Sequence, residues 1–454
     1  MKKSLLYIIS TLLLLCACST SGKQTDFVTA KDGKFFVGDK EYRYVGANFW
    51  YGAILGSTGR GGNRERLIKE LDDMKALGMD NVRVLVGGDG REGLPSHIEP
   101  VLQSAPGEYN DTILEGLDYL MAELEKRDMK AILYLNNSWE WSGGFGTYLE
   151  WAGHEMDYTC PDGSFKHFDK TPIPSIDGYD EYTTFVSAFM LNDTAKAFAA
   201  DHVRFIVSRT NTITGKPYSE SPALMAWEIA NEPRCFASDS LHKAKFEEWI
   251  DAQSTLIKSL DPNHLVTTGS EGLYGCQVDM DLFVRLHSLP NIDYACIHIW
   301  PYNWAWLGEN AAKLSVENAG TEADPIIANV DSAKTHTLDY LNGACEALRG
   351  TGLPIVLEEF GYPRDGFSFK AGSPTKGRDE YYRYVFSLVR DSGKVAGCNF
   401  WGWGGSADAK DVVWKRWNDY VCDPAQEEQG LNSVFLADSS TIQIIKEMTS
   451  QITK

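Results

Sequence analysis

Cysteine is scarce in this 454-residue chain, and no two cysteines are spaced as metal ligands usually are. Of the nine cysteines, Cys16 and Cys18 lie in an N-terminal leader, so seven remain in the body. The absence of any Cys-x-x-Cys pair argues against a zinc knuckle. The chain also lacks a His-Glu-x-x-His motif and an EF-hand loop. We therefore expect neither a metal ion nor a cofactor.

Positive charge is also in short supply. The chain has 43 lysines and arginines against 63 aspartates and glutamates, a net charge of −20. A surface this acidic repels nucleic acid, anionic polysaccharides and anionic lipid surfaces, which argues against all three as partners. It is compatible with a neutral substrate, so we expect a neutral ligand. We also expect the chain to be a monomer.

Long apolar runs are absent except for one between Leu5 and Leu15. This run is too short to span a membrane, and two lysines before it and small residues after it give it the form of a signal peptide. Its end resembles the lipobox of bacterial lipoproteins. We expect residues 1–18 to be a lipoprotein signal segment with Cys18 as the lipid attachment site, residues 19–26 to be a short tether, and this anchor to be the only membrane contact. The alternative is an ordinary signal peptide cut nearby. Both interpretations predict export, to the cell envelope or surface or into the medium.

Eight apolar, β-branched runs alternate with stretches of helical periodicity along residues 27–454. Short apolar runs of this kind are typical of buried parallel strands. The alternation predicts an α/β fold, a single (β/α)8 TIM barrel with long loops on its C-terminal face, that forms one catalytic domain. A doubly wound sheet would need a Gly-rich turn between strand and helix, which residues 56–62 do not supply. The predicted strands are Tyr42–Asn48, Asn81–Val86, Lys130–Asn136, Leu224–Asn231, Leu265–Thr268, Tyr294–Trp300, Pro354–Glu359 and Gly397–Trp401, and the predicted helices are Asn63–Leu77, Leu114–Lys126, Thr194–Arg209, Ala244–Ser259, Ala333–Arg349, Asp379–Asp391 and Thr441–Ile452.

The connections after the third and sixth predicted strands are long, covering residues 137–192 and 301–330. Loops on this face of a barrel build the walls of the active cleft. Their large aromatic residues either fix the loops to the barrel or present flat faces to sugar rings; they are Trp139, Trp141, Tyr148, Trp151, Trp304 and Trp306. The 13 tryptophans of the chain, many of them near strand ends, favour a carbohydrate cleft.

Two glutamates stand at the ends of predicted buried strands, Glu232 after the fourth and Glu359 in the seventh. Burial of an unpaired carboxylate is costly, so a structural role alone does not explain them. Paired carboxylates at the C-terminal face of a barrel suit the cleavage of glycosidic bonds. Glu228 and Glu358 are competing candidates. We expect Glu358 to face the opposite side of its strand from Glu359 and to be a structural partner.

The same segments resemble two signatures of glycoside hydrolase family 5. Trp-Glu-Ile-Ala-Asn-Glu-Pro-Arg at residues 227–234 resembles the fourth-strand signature, and Leu-Glu-Glu-Phe-Gly at residues 357–361 resembles the seventh-strand signature. The resemblance implies that Glu232 is the acid/base, that Glu359 is the nucleophile and that the reaction retains anomeric configuration. It also implies that Asn231 binds the 2-hydroxyl of the sugar under attack.

Further positions follow the pattern of the same family. The resemblance implies that Arg83 supports the nucleophile, that His298 belongs to the site and that Trp401 forms the floor of the −1 sugar position. We expect these three residues and Trp300 to be among the substrate-binding residues. Trp300 stands where the family carries a tyrosine that donates a hydrogen bond to the nucleophile. Tyr302 is an alternative donor, two residues further along a chain that turns at Pro301.

Within the family, the sequence resembles the fungal- and plant-type β-mannanases. The resemblance rests on residues 46–50, on residues 136–144 and on Asn-Glu-Pro-Arg-Cys. It implies that Asn137, Trp139 and Arg234 bind substrate, with the arginine on the leaving-group side.

These observations predict a retaining endo-β-1,4-mannanase that acts on mannan, galactomannan or glucomannan. An exo-acting β-mannosidase or mannobiohydrolase and a β-1,4-glucanase are alternatives with the same chemistry, because the long loops leave open whether one end of the cleft is blocked. A non-catalytic glycan-binding surface lipoprotein is an alternative from a different class.

Overall fold

The fold is a nearly closed barrel of eight parallel strands with helices between them, as the sequence predicts. It is seen in a computed structural model that describes residues 27–94, 97–159, 179–416 and 418–453. The leader, Cys18 and the tether lie outside the described residues. The barrel strands, in chain order, are Tyr44–Asn48, Asn81–Leu85, Lys130–Tyr134, Leu224–Glu228, Leu265–Thr267, Ala295–Ile299, Ile355–Phe360 and Gly397–Phe400.

Neighbouring strands pair in chain order, and the eighth strand pairs with the first through Gly397 opposite Tyr44. The fifth and sixth strands are the exception, because they are the two edges of the sheet and have no strand pairing between them in the described residues; hydrogen bonds nevertheless join residues at these edges. The Asp293 backbone N–H donates to the Val266 carbonyl at 2.9 Å. The Thr267 hydroxyl donates to the Tyr294 carbonyl at 3.0 Å. These bonds bring the edges together, so all eight strand ends meet around one face.

All seven predicted helices form. They are Arg64–Ala76, Asp111–Lys126, Asp193–Val207, Ser240–Leu260, Val330–Ala347, Lys376–Asp391 and Ser439–Ile452. Several begin at a side-chain cap; the Asn63 and Asp239 side chains accept backbone N–H bonds of the first turn. Among the described residues, six short helices in the connections were not predicted: Gly52–Gly56, Gly144–Trp151, Tyr179–Ser187, Met280–His287, Ala311–Glu317 and Pro325–Ala328. The 3-10 turns are Glu140–Ser142, Ala188–Leu191, Tyr218–Glu220 and Asp365–Phe367.

A small antiparallel sheet that was not predicted closes the N-terminal end of the barrel. Its strands are Val28–Lys31, Lys34–Val37 and Lys40–Tyr42. Phe35 is fully buried and packs its ring against Tyr294 and Tyr44, near the starts of the sixth and first barrel strands. Because this end is filled with side chains, only the C-terminal face is left for a cleft.

The connection from Trp401 to Asp438 is a third long loop on the C-terminal face, in addition to the two that were predicted. It contains a short strand pair, Trp403–Gly405 with Val434–Phe435. Another short pair, Gln103–Ala105 with Glu108–Tyr109, lies after the second barrel strand. Among the described residues, no helix has the length and apolar character needed to cross a membrane.

The third long loop is anchored to the connections that follow the first and second barrel strands. The Trp50 indole donates to the Cys422 carbonyl at 2.7 Å. The Tyr420 hydroxyl donates to the Glu99 carbonyl at 2.6 Å, and Arg416 forms an ion pair with the Glu99 carboxylate. The loop therefore lies over this side of the barrel as a fixed wall.

Candidate active site

Glu232 lies four residues beyond the end of the fourth strand, which stops at Glu228 and not at Asn231 as predicted. Its backbone adopts a left-handed conformation with φ of 47°, and its N–H donates to the Gly269 carbonyl at 3.0 Å. A Cβ atom at position 269 would lie 1.8 Å from the Ala230 carbonyl oxygen. The fifth-strand connection therefore needs glycine at this point to hold the Glu232 backbone in place.

Glu359 lies inside the seventh strand, next to a β-bulge. Ile297 and His298 are consecutive, but they pair with Leu357 and Glu359, so Glu358 is the extra residue. The Glu358 carboxylate accepts a hydrogen bond from the Tyr294 hydroxyl at 2.8 Å, within the barrel interior. The expectation that Glu358 would face the opposite side from Glu359 is therefore wrong, because the bulge interrupts the alternation of side chains.

The two candidate carboxylates meet at the base of a cleft. One oxygen of Glu232, one oxygen of Glu359 and a ring nitrogen of His298 all lie within 4.8 Å of one another. Nδ1 of His298 is 2.8 Å from Oε1 of Glu232 and 3.3 Å from Oε2 of Glu359. Glu232 is 7% exposed and Glu359 is 2% exposed. Both carboxylates can therefore reach the two atoms of one substrate bond while bulk water is largely excluded.

In the described part of the chain, these three side chains are also the one group of ligand-type atoms close enough together to hold a metal ion. Their oxygen atoms already accept hydrogen bonds from the Arg83 guanidinium and from two indoles. A guanidinium at the same carboxylate competes with a cation by charge. The donor set therefore fits a pair of reacting carboxylates better than a metal centre.

Arg83 organises the polar network beneath the cleft. Its guanidinium donates to both oxygens of Glu228, with Nε at 2.8 Å, and to Glu359. It also donates to Asn48 Oδ1 at 3.0 Å and to Asn231 Oδ1 at 2.8 Å. Arginine is suited to this position because its planar fork satisfies several acceptors at once.

Each of the two carboxylates accepts a hydrogen bond from a different indole N–H. Nε1 of Trp300 donates to Oε2 of Glu359 at 3.1 Å, and Nε1 of Trp139 donates to Oε2 of Glu232 at 2.5 Å. A Cβ atom at Gly361 would lie 2.6 Å from the Trp300 ring, so glycine lets the ring lie over the strand end. Trp300 therefore supplies the hydrogen bond expected from the family tyrosine, whereas Tyr302 packs against Phe367.

Arg234 forms a second ion pair beside the acid/base candidate. Its Nε and Nη2 donate to the two oxygens of Glu271 at 2.5 and 2.6 Å. Its guanidinium also lies over the Trp139 ring, 5.1 Å from the centroid. Glu271 follows the fifth strand in a polar segment, Thr-Thr-Gly-Ser-Glu-Gly, and sequence reasoning missed it. The signal available in the sequence was a glutamate just beyond the end of a predicted buried strand.

A cavity of about 410 Å³ opens above these groups. Its walls come from the loops after the third, fourth, fifth, sixth and eighth strands, and its lining includes Trp139, Trp141, Tyr274, Trp304, Pro424 and Glu427. This volume lies within the range of small-ligand pockets. The rings favour a ligand with apolar faces, and the carboxylates and amides favour one with hydroxyl groups.

Burial controls the ionisation of the site. It raises the pKa of both Glu232 and Glu359, because a charged carboxylate loses its hydration. The Arg234 charge opposes this most strongly at Glu232, and the Arg83 charge does so at Glu359. Of these two carboxylates, Glu359 is the one that Arg83 contacts directly, which favours the ionised form there. Burial also lowers the pKa of His298 well below its usual range, so this ring is neutral near pH 7. These environments can separate an acid from a nucleophile.

The structure brings together all ten predicted side chains. Seven line the cavity: Trp139, Asn231, Glu232, Arg234, Trp300, Glu359 and Trp401. The other three, which were expected to bind substrate, are Arg83, Asn137 and His298; they are at most 1% exposed and are not among the cavity-lining residues. Asn137, for example, accepts a hydrogen bond from the Asn231 amide at 3.2 Å. These three are buried because they hold the residues that face the ligand.

The cavity also contains residues that were not predicted as site residues. They come from loops without a repeating apolar pattern and are Glu140, Trp141, Glu271, Tyr274, Gln277, Val278, Asn303, Trp304, Pro424, Gln426 and Glu427. Trp141 and Trp304 were singled out only as aromatic loop residues.

Comparison with known proteins places the chain in a family. Residues 25–454 match the model of a family described as "GH family 5 beta-mannosidase-like". The chain is 27% identical over 412 residues to the putative mannan endo-1,4-beta-mannosidase 9 of Oryza sativa subsp. japonica, covering 87% of this chain and 86% of the relative. It is also 27% identical to the mannan endo-1,4-beta-mannosidase 1 of Arabidopsis thaliana, covering 82% and 80%.

Solved structures show the same fold. The family 5 mannosidase of Rhizomucor miehei superposes with a TM-score of 0.79 at 30% identity, covering 95% of this chain and 98% of that one. The endo-beta-1,4-mannanase of Thermotoga petrophila shares the fold with a TM-score of 0.63 at 23% identity, covering 92% and 78%. The family resemblance read from residues 227–234 and 357–361 is confirmed: this chain belongs to glycoside hydrolase family 5 and is a glycoside hydrolase.

Proposed function

We propose that this enzyme hydrolyses β-1,4-mannosidic bonds with retention of anomeric configuration. The observation that carries the proposal is the buried pair of carboxylates, with oxygen atoms of Glu232 and Glu359 within 4.8 Å of each other. Retaining enzymes hold their carboxyl groups about 5–5.5 Å apart, whereas inverting enzymes leave roughly 6.5–9.5 Å for a water molecule. Substrate specificity is inferred from relatives named for mannan or mannose.

The first step forms a covalent glycosyl-enzyme. The ionised Glu359 attacks the anomeric carbon, the bond from that carbon to the leaving oxygen breaks, and Glu232 gives its proton to that oxygen. Arg83 and Trp300 hold the nucleophile by hydrogen bonds. Asn231 lies at the cavity surface, fixed by Arg83 and Asn137, where it can bind the 2-hydroxyl.

The second step releases the sugar. Glu232, now ionised, takes a proton from a water molecule whose oxygen attacks the anomeric carbon and displaces Glu359. The Trp139 indole and the His298 ring hold the Glu232 carboxyl group in one orientation for both proton transfers. The floor of the −1 position is Trp401, a cavity-lining residue that is 4% exposed.

Internal cleavage of mannan, galactomannan or glucomannan is the first candidate for the mode of action. It is supported by the names of the plant relatives, which cover most of this chain. It requires a cleft that accepts sugars on both sides of the scissile bond.

Cleavage at chain ends is a second candidate, and the loop from Trp401 to Asp438 favours it. Pro424, Gln426 and Glu427 of this loop line the cavity together with Trp401. The loop is tied to the first-strand end by the bond from the Trp50 indole to the Cys422 carbonyl. A fixed wall beyond the −1 position would limit the number of sugars on that side. The Rhizomucor miehei relative is named as a mannosidase, which also favours this candidate.

Product analysis on purified protein separates the candidates. The substrates are linear β-1,4-mannan, galactomannan, mannohexaose and a soluble cellulose derivative. Mixed manno-oligosaccharides indicate internal cleavage, and mannose or mannobiose alone indicates chain-end cleavage. Cleavage of only the cellulose derivative would overturn the assignment of the substrate, and binding without any product would indicate a glycan-capture protein.

The catalytic assignment is tested with Glu232→Ala and Glu359→Ala. Each variant should lose several orders of magnitude in kcat, because general acid/base and nucleophilic catalysis are both large contributions. Circular dichroism and the melting temperature verify that the barrel remains folded. Mannan hydrolysis that persists in Glu359→Ala would place the nucleophile elsewhere.

The charge of the substrate, the location of the enzyme and its oligomeric state are inferred from the sequence. The acidic composition suits a neutral polysaccharide and not nucleic acid. We propose that the protein is exported, that it contacts the membrane only through a lipid on Cys18, and that it acts as a monomer.

A further inference from the structure

The described chain begins at the N-terminal end of the barrel, opposite the cleft. Phe27 packs its ring against that of His264, just before the fifth strand, with centroids 4.9 Å apart. Val28 is 1% exposed and belongs to the same buried cluster as Leu265, the first residue of that strand. The leader therefore joins the body at the end of the barrel that faces away from the active site.

The length of the tether limits how an anchored enzyme can stand on a membrane. Residues 19–26 separate the proposed lipid on Cys18 from Phe27. Eight residues span at most about 29 Å even when fully extended. The helix Ser240–Leu260 runs from one end of the barrel to the other and has 21 residues, a length of about 32 Å. A molecule with its cleft against the lipid would hold Phe27 farther from the surface than the tether can reach, so only upright and side-lying orientations remain.

Charge differs sharply between the two ends of the barrel. At the N-terminal end, the described connections into the strands carry nine lysines and arginines and eight aspartates and glutamates. On the cleft side, the described connections that follow the strands carry nine and 26. The first set is residues 27–43, 77–80, 127–129, 208–223, 261–264, 288–294, 348–354 and 392–396, and the second is residues 49–63, 86–94, 97–110, 135–159, 179–192, 229–239, 268–279, 300–329, 361–375, 401–416 and 418–438. The acidic charge of the chain is therefore concentrated around the cleft.

This asymmetry favours the upright orientation on an anionic lipid surface. Such a surface has a negative potential that acts over about 8–10 Å at physiological salt. A side-lying molecule would bring cleft-side carboxylates to the headgroups, among them the exposed Glu309, Glu317 and Glu322. An upright molecule presents its nearly neutral N-terminal end instead. The tether and the charge distribution thus favour the same arrangement.

We infer that the anchored enzyme stands on its N-terminal end, with the sheet of residues 28–42 toward the lipid headgroups and the cleft open to the medium. This orientation rests on the proposed lipid on Cys18, which remains the only membrane contact. Polysaccharide chains then reach the cleft from the medium, whereas glycans on lipids of the same membrane lie on the wrong side of the body. The substrate class is therefore polymer that is not embedded in the membrane that carries the enzyme.

Energy transfer to the membrane surface tests the orientation. The lipidated full chain is placed on vesicles of phosphatidylcholine and phosphatidylglycerol that carry an acceptor dye on their headgroups. A fluorescent amino acid replaces either Lys40, in the N-terminal sheet, or Val413, in the loop from Trp401 to Asp438; both positions are exposed. Transfer from position 40 should be at least about twofold higher, because the two ends of the body are roughly 30 Å apart. Equal transfer, or higher transfer from position 413, would overturn the inference.

Two variants separate the effect of charge from that of the tether. Replacing Glu309, Glu317 and Glu322 together by lysine should reduce the difference between the two positions on vesicles with phosphatidylglycerol but not on pure phosphatidylcholine. Insertion of a long Gly/Ser segment after Asp26 should reduce the difference on pure phosphatidylcholine. A difference that survives both changes would show that neither the tether nor the charge sets the orientation.

Activity gives an independent readout. The vesicle-bound enzyme and the soluble Cys18→Ala protein should have the same ratio of kcat/KM for galactomannan to that for mannohexaose, because the cleft is open to polymer in both. A fall in this ratio confined to the bound enzyme would place the cleft against the membrane. Failure of the unaltered chain to bind vesicles would overturn the lipid anchor and the orientation together. Binding with the expected energy transfer but no hydrolysis of any mannoside would overturn only the proposed catalytic function.

Discussion

At the scale of single residues, the chemistry depends on how two neighbouring carboxyl groups are kept different. Both are buried, and burial raises the pKa of both. Glu359 accepts a hydrogen bond from the Arg83 guanidinium, whereas Glu232 is hydrogen-bonded to the Trp139 indole and the His298 ring, with the Arg234 charge nearby. A direct ion pair stabilises the charged form of a carboxyl group more than a neutral hydrogen bond does. The contacts therefore favour Glu359 as the ionised partner and Glu232 as the acid.

The pH dependence of activity tests the role of the Trp300 indole N–H. Its N–H donates to Glu359 and also lowers the pKa of Glu232. Replacing it in Trp300→Phe removes a donor that stabilises both ionised forms, so the pKa of each carboxyl group should rise. Both limbs of the pH profile of kcat/KM should then move to higher pH by about one unit, because a hydrogen bond to a charged group is worth about 1.5 kcal/mol.

Trp300→Tyr is the matched variant, because it restores a donor of the type that the family carries. Its pH profile should lie close to that of the unaltered enzyme. A uniform loss of kcat/KM in Trp300→Phe without a shift of either limb would show that the indole acts only by packing.

At the scale of elements, the bulge in the seventh strand has two consequences. It turns the carboxylates of both Glu358 and Glu359 toward the barrel interior. Burial and the nearby Glu228 charge raise the pKa of Glu358 to about 8, so this side chain is protonated in the folded protein near neutral pH. The element that presents the nucleophile thus also buries a second, neutral carboxyl group directly beneath it.

This buried carboxyl group should make stability depend on pH. The unfolded chain releases the Glu358 proton near pH 4.5, whereas the folded protein holds it to about pH 8. Between these values the folded state binds more protons, so the free energy of unfolding falls as pH rises, by up to about 1.4 kcal/mol per pH unit. Glu358→Gln cannot ionise and keeps an acceptor for the Tyr294 hydroxyl. It should match the unaltered protein near pH 5 and be more stable near pH 8.

Urea unfolding followed by tryptophan fluorescence at several pH values measures this slope. Glu317→Gln, which changes an exposed glutamate, is the control and should leave the slope unchanged. If Glu358→Gln shows the same slope as the unaltered protein, Glu358 is not the group that retains the proton.

At the scale of the whole molecule, the parts that the sequence predicts are those with a repeating pattern. Apolar runs and helical periodicity predict the eight barrel strands and seven helices, with boundaries that differ by a few residues. Glu232 and Glu359 could be predicted because each follows or ends such a run. The cavity-lining residues Pro424 and Tyr274 and the ion-pair partner Glu271 could not, because loop paths depend on tertiary contacts such as the bond from the Trp50 indole to the Cys422 carbonyl.

The location of the enzyme in the cell is tested with substitutions in the leader sequence. In a bacterial host that processes lipoproteins, the unaltered chain should sediment with the membrane fraction, because the barrel is expected to contact the membrane only through a lipid on Cys18. Cys18→Ala removes the thiol that would carry the lipid, so the protein should move to the soluble fraction with its mannan-hydrolysing activity unchanged. Cys16→Ala is the matched control, since it alters the neighbouring cysteine and should leave the partition as it is. Membrane partition that persists in Cys18→Ala would exclude the lipid anchor and favour an ordinary signal peptide or another mode of attachment.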